Sequence, residues 1–235
     1  MSTATPEKLS FLPDPDSFVF SACSAKTAGR PRAAEAEART QELVEIAAQL
    51  FLEKGYSKVS LEMIAKQARV AVRTIYVKFG GKAGLFMAVI NAGCAHFFGN
   101  MHHMETSVQP LREILLDFGL RFVQLVMSPA VLSVHRMVIA ESLSNPELAQ
   151  AFYDAGPRQT REALQRLFTR PDIQEQLRED IPVEMLVVHL QNCIMGDQLR
   201  RYLFVLPAAA PAAEVRAQVE LGIDLFLCGA QRRRG

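Results

Sequence analysis

Lys54, Lys58, Lys66, Arg69, Arg73, Lys78 and Lys82 crowd one stretch of the chain, which holds a single acid, Glu62. The stretch carries a net charge of +6 in a chain whose total is +1, so the remainder stands at −5. Cations at this density suit a phosphate backbone, where each neutralised phosphate releases a condensed counterion. Arg73 has two uses open to it: a forked contact to guanine O6 and N7, or a clasp on a phosphate. Thr74 suits a base edge or a thymine methyl group. Ser60, Tyr76, Lys78 and Lys82 carry donors for phosphate oxygens, and Lys82 lies near a helix start, where backbone N–H groups also favour an anion. Ala71 and Val77 complete this outward set.

Helices must position these groups. Leu61, Ile64, Ala65 and Ala68 recur at helical spacing, and Val72, Ile75, Tyr76 and Phe79 repeat the pattern a turn later. Ser60 stands where an N-cap belongs. Ala65 is small enough for a close helix crossing, and Ile75 closes the core from the second helix. That helix is expected over Val72 to Lys78, with Val72, Ile75 and Phe79 turned inward. Upstream, Leu43, Ile46, Ala47, Leu50 and Phe51 form one apolar stripe ended by Gly55-Tyr56. This is the layout of a helix-turn-helix, whose second helix enters the major groove.

At Ile64-Ala65-Lys66-Gln67-Ala68, Val70, Thr74-Ile75-Tyr76-Val77-Lys78-Phe79 and Lys82-Ala83-Gly84-Leu85-Phe86 the chain resembles the TetR/AcrR family of bacterial transcriptional repressors. The match covers roughly residues 38 to 90. Leu111 to Phe168, with SPAVLSVHRMVIAESLSNPELAQAFYDAGP, is similar to the C-terminal domain of a subgroup that includes efflux and stress regulators. Two positions depart from the family pattern. Arg69 occupies a turn position usually held by Gly, where a left-handed backbone costs a non-glycine residue about 1–2 kcal/mol. Lys78 stands where the family often has His or Tyr, a change that keeps a donor for phosphate.

The resemblance implies an all-α fold: an N-terminal three-helix DNA-binding domain over 35–82, and a larger effector-binding and dimerisation domain over 83–235. Punctuation supports it. Pro110, Ser128-Pro129, Asn145-Pro146, Gly156-Pro157, Pro171, Pro182 and the run Pro207 to Pro211 separate amphipathic segments of helix length. No period-two alternation is evident, and about nine or ten helices are expected. Helix four, about Lys82 to Met104, links the two domains. The family's last two helices pair with their symmetry mates; here these are about Val183 to Val205 and Ala213 to Ala230. Leu186, Leu190, Ile194, Leu221, Leu225 and Cys228 are the candidates for that interface, and filling the core of one chain is their other use. One recognition helix reads a half-site, so a homodimer on a palindromic operator follows from the function.

The resemblance also implies a small-molecule effector, apolar in character, that releases the DNA. Candidate lining residues are Phe97, Phe98, Met101, Phe118, Phe122, Met127, His135, Met137, Gln191 and Met195. A Phe/Met stripe at this spacing equally describes packed core. Residues 1 to about 34, rich in Pro, Ser and Ala, are expected as a mostly disordered arm. Gly29-Arg30-Pro31-Arg32 either reaches a minor groove or stays solvated. The arm lacks the pattern of a secretory signal, and a cytoplasmic location is expected.

Other chemistry finds less support. Cys23, Cys94, Cys193 and Cys228 lie far apart. Cys94, His96, His102 and His103 spread over successive helical turns with no acidic partner, so no metal and no cofactor is assigned. Glu141, His135, Asp197 and Arg200 form no catalytic motif, and no glycine-rich nucleotide loop or metalloprotease helix occurs. The chain is read as a non-enzyme. An activator, an effector-independent regulator, a protein-binding helical adaptor and, more remotely, a helical enzyme remain as alternatives.

Overall fold

The computed structural model describes residues 31–204 and 211–232, and these form twelve helices with no strand among them. A lone β-bridge pairs Leu177 with Gln231. Helices α1 (Pro31–Lys54), α2 (Leu61–Gln67) and α3 (Val72–Phe79) make the N-terminal unit. The body comprises α4 (Lys82–Thr106), α5 (Leu111–Val126), α6 (Pro129–Glu141), α7 (Pro146–Ala155), α8 (Pro157–Phe168), α9 (Pro171–Gln174), α10 (Val183–Met195), α11 (Gln198–Phe204) and α12 (Ala212–Ala230).

The prolines act as start signals. Pro129, Pro146, Pro157 and Pro171 sit in the first turns of α6 to α9, where their missing N–H leaves no bond unmade. Pro110, Pro182 and Pro211 are the N-caps of α5, α10 and α12. The all-α class holds, with more pieces than expected. The four-residue α9 is too short to leave a period in the sequence. The helix expected over Val183 to Val205 breaks at Gly196, whose φ of 54° and ψ of −131° no α-helix accommodates, so α10 and α11 are separate.

The last residues of the expected arm, 1 to about 34, belong to α1. Residues 1–30 lie outside the described residues, and with them Gly29-Arg30 and the short apolar run Phe18-Val19-Phe20, whose sequence suggests a docking segment. Pro31 to Ala34, however, are helical: proline is tolerated at a first helical position, and Ala33 and Ala34 propagate the turn.

Two hydrophobic cores result. One joins α1, α2 and Ile75 of α3 to the first half of α4 and to Val138, Leu148, Ala151 and Ala155 of α6 and α7. The other is built from the second half of α4 with α5, α8, α10 and α12. Helix α4 runs through both: Leu85 to Cys94 face the first, Phe97 to Met104 the second. The cores therefore do not divide at the expected domain boundary, because α6 and α7 pack with the N-terminal unit. Among the described residues no single helix is long and apolar enough to cross a membrane.

Candidate functional site

Helix α2 starts as its sequence demands: Ser60 Oγ accepts from the Met63 N–H at 3.2 Å. Ile64 and Ile75 are fully buried where α2 and α3 cross, with Ala65 beside them. That packing turns the other face of α3 outward. Ala71, Arg73, Tyr76, Val77 and Lys78 are exposed, Val77 to 76 % and Tyr76 to 56 %, while Thr74 is half-buried. Val72 and Phe79 are only partly covered, so Ile75 alone of the expected inward set is sealed.

The turn between α2 and α3 holds the strain anticipated for it. Arg69 has a φ of 54° and is the one non-glycine residue with positive φ among the described residues. Val70 N–H bonds Ala65 C=O at 3.0 Å behind it, closing α2 in the way a glycine turn would.

Two of the expected phosphate donors are engaged elsewhere. The Lys78 ammonium donates to Thr40 Oγ1 of α1. Lys82 lies with its ammonium 4.1 Å from the centroid of the Tyr56 ring. Burial lowers its pKa, and Glu141 and Glu147 oppose that shift. The Tyr56 phenol, itself buried and facing the same two carboxylates, is pushed up to about 12.

A polar contact missed at the sequence level ties this unit to the body. Glu141 ends α6, and its Oε1 accepts the Tyr56 N–H at 3.0 Å. Its Oε2 accepts the Ser57 N–H at 2.6 Å and also the Ser57 hydroxyl. Asn145 Nδ2 donates to Ser57 Oγ at 3.0 Å. Gly55 makes this approach possible: its φ is 82°, and a Cβ there would stand 2.9 Å from Glu141 Oε1. Only the Gly55-Tyr56 helix stop hinted at it. Arg136 of α6 donates from Nη2 to the Tyr202 carbonyl at 2.5 Å, fastening the helix to α11.

Between the two cores lies a cavity of about 280 Å³. Of the candidates, Phe98, Phe122, His135, Met137, Gln191 and Met195 line it. Phe97, Met101 and Phe118 do not; they are buried in the second core, where the Phe97 and Phe118 ring centroids lie 6.1 Å apart. Their spacing put them on α4 and α5 but could not say which side of each helix faced the void. Met127 packs against the same core. Phe51 and Leu52 of α1, with Phe86 and Ile90 of α4, bring the N-terminal unit to the cavity wall, and Phe152 and Thr160 close it from α7 and α8. Cys94 lines it too, and burial pushes its thiol up to about 11, which removes thiolate reactivity at neutral pH.

The expected dimer residues separate into two sets. Leu186, Leu190 and Ile194 are 3 %, 0 % and 0 % exposed and belong to the second core, so they cannot meet another chain. They face α12: a Cβ on Gly222 would lie 2.2 Å from the Cys193 carbonyl oxygen, so α10 and α12 touch backbone to backbone. Leu221 and Leu225 are 61 % and 62 % exposed on the outer side of α12, and Cys228 is exposed with them. Among the described residues no group of three or more His, Cys, Asp or Glu side chains could hold a metal ion.

Residues 43–89 match the family described as bacterial regulatory proteins, tetR family, and residues 113–229 match the AefR-like transcriptional repressor C-terminal domain. No curated protein matches. Among solved structures, a TetR-family transcriptional regulator from Mesorhizobium loti superposes with a TM-score of 0.70 at 20 % identity, covering 86 % of this chain and all of that one. The flavonoid-responsive regulator FrrA gives a TM-score of 0.66 at 26 % identity over 84 % of this chain and all of its own. NalD, the secondary repressor of the MexAB-OprM multidrug efflux pump in Pseudomonas aeruginosa, gives 0.53 at 23 % identity, covering 86 % and 100 %. With both its helix-turn-helix unit and its helical body matched, the chain belongs to the TetR family of transcriptional regulators.

Proposed function

We propose that this regulator is a repressor that binds a palindromic operator as a homodimer and leaves it when a small apolar effector fills the cavity between the two cores. The observation that carries the reading is the cavity's position. Its wall is shared by α1 of the DNA-binding unit, by α4, which runs through both cores, and by α5, α6 and α10 of the body. The match of residues 113–229 to a repressor C-terminal domain supports the sign of the response. FrrA, responsive to flavonoids by its name, supports a small-molecule effector.

On this reading Arg73 and Thr74 read bases, while Ser60, Tyr76, Lys78 and Lys82 hold phosphates, with Ala71 allowing close approach. Lys78 exchanges Thr40, and Lys82 exchanges the Tyr56 ring, for a phosphate oxygen. The dimer forms through the outer faces of α10 and α12, where Met185, Leu221 and Leu225 are exposed. A bound effector displaces α6 or α4, and the Glu141 carboxylate on Tyr56 and Ser57 transmits the shift to α1. A protein built this way sits in the cytoplasm with its DNA.

Selection of bound fragments from random duplex DNA tests the proposal. It should return an inverted repeat with half-site centres about one helical turn, roughly 34–36 Å, or a multiple apart. Enrichment of no sequence, or of a single unrepeated site bound by one chain, would refute it.

A further inference from the structure

The walls of the cavity bear on what it can hold. Among the described residues no Asp, Glu, Lys or Arg lines it, and the polar groups there are few: His135, Thr160, Gln191 and Asn192. A carboxylate, phosphate or ammonium brought here would shed its hydration without gaining an opposite charge, a cost far above any apolar gain. The volume is just under that of sites for drug-sized molecules. Charge disfavours a nucleotide-bearing ligand, and the volume suits a compact guest best.

His135 supplies the directional element. Its Nδ1 lies 2.9 Å from the Val131 carbonyl, which can only accept, so Nδ1 carries the proton. Nε2 of the neutral ring is then an acceptor, and it has no hydrogen-bond partner among the described residues. No buried side-chain nitrogen or oxygen among those residues lacks a partner, so Nε2 must be reachable by a small probe, and the ring lines the cavity. Burial lowers the His135 pKa, which keeps Nε2 unprotonated at neutral pH. The ring is steadied by Phe152, edge-on at 4.9 Å. Thr160 spends its proton on the Gly156 carbonyl at 3.2 Å and is left, like Nε2, as an acceptor.

We infer that the effector is an uncharged, compact, largely apolar molecule bearing a hydroxyl or N–H group, which it donates to Nε2 of His135. This rests on the cavity being the effector site. The class it names is that of phenols and related neutral ring alcohols, as against acids, amines and acyl conjugates.

Three probes with one ring system separate the possibilities on the full chain at neutral pH: 2-naphthol, neutral with a donor; 2-methoxynaphthalene, neutral without one; and 2-naphthoate, an anion. Calorimetric titration to about 1 mM, equivalent to roughly 4 kcal/mol of binding free energy, should show 2-naphthol bound most tightly and 2-naphthoate not at all. In His135→Phe, 2-naphthol should lose about tenfold and 2-methoxynaphthalene should be unchanged; His135→Gln, which keeps an acceptor, should recover part of the loss. Binding of 2-naphthoate as tight as that of 2-naphthol, equal losses for both neutral probes in His135→Phe, or no binding of any probe would overturn the inference. Should His135→Phe not fold, the ranking of the three probes on the unaltered chain decides. If 2-naphthol binds as expected yet operator affinity stays unchanged, the ligand class stands and the release reading fails.

Discussion

The two cores differ in what holds them and in what they answer to. The core around α5, α8, α10 and α12 is self-contained: it takes nothing from α1 to α3, and at Gly222 its helices approach to backbone contact. The core of the DNA-binding unit is smaller and borrows its closure. Phe51, Tyr56 and Phe86 meet there with centroids 5.5–5.6 Å apart, but Val138, Leu148, Ala151 and Ala155 come from the body. The core around α5, α8, α10 and α12 thus suits a fixed scaffold, and the N-terminal core is a reader whose position depends on α6 and α7. The void lies where they meet, walled by Phe86, Val89 and Cys94 on one side and Val126 and Met195 on the other. On the proposed function, a molecule lodged there would act on the relation between the cores rather than on either one.

The contrast can be broken most violently with glycine. Gly222→Ala drives a Cβ to 2.2 Å from the Cys193 carbonyl and should cost about 3 kcal/mol of stability, lowering the Tm in a thermal scan by about 6–12 °C and weakening dimerisation in sedimentation. Gly84→Ala puts a Cβ 1.8 Å from the Phe79 carbonyl in the other core. It should abolish operator binding while the sedimentation coefficient stays that of the unaltered chain. If both substitutions damaged both readouts equally, the two cores would be one.

Glu141→Gln comes next. It keeps the shape but removes the charge that strengthens the bonds from Tyr56 and Ser57. Stability should fall by about 1–2 kcal/mol in denaturant titration, and an effector's influence on operator affinity should shrink to threefold or less. Arg69→Gly is smaller and of opposite sign. Relief of the 54° φ, less the greater unfolded-state freedom of glycine, should stabilise the reader by about 0.5–1 kcal/mol.

The smallest expected effect is that of His135. Its folded pKa is lowered by burial, so between that value and its unfolded value of about 6.5 the unfolded chain binds more protons. Stability from this group is complete above the unfolded value and is lost as pH falls through it toward the folded one. His135→Phe should flatten that part of the stability profile in denaturant titrations stepped from neutral to acid pH.

Much of the reader was legible because its signals are local. The Ser60 cap, the Ile64 and Ile75 spacing and the cationic run lie within one short stretch, and the turn strain at Arg69 follows from a single substituted glycine. The starts of α5 to α10 and of α12 were legible for the same reason, each marked by its own proline. The cavity was legible only in part. Which of Phe97 and Phe98, or of Phe118 and Phe122, faces the void depends on helices far away in sequence, so periodicity placed all four without choosing. The Leu186, Leu190 and Ile194 stripe was ambiguous between core and interface until α12 was seen to cover it. The Glu141 contact, spanning 85 and 84 positions to Tyr56 and Ser57, left no local trace.

On the proposed function, the operator and a molecule in the cavity compete through the placement of the reader on the scaffold. The most direct test of that competition is reciprocal: the affinity of 2-naphthol for the free dimer and for the dimer saturated with its selected operator, measured in one buffer. Linkage requires the same factor in both directions. Binding should be about tenfold or more weaker on the operator complex; equal affinity for the two forms would refute the competition.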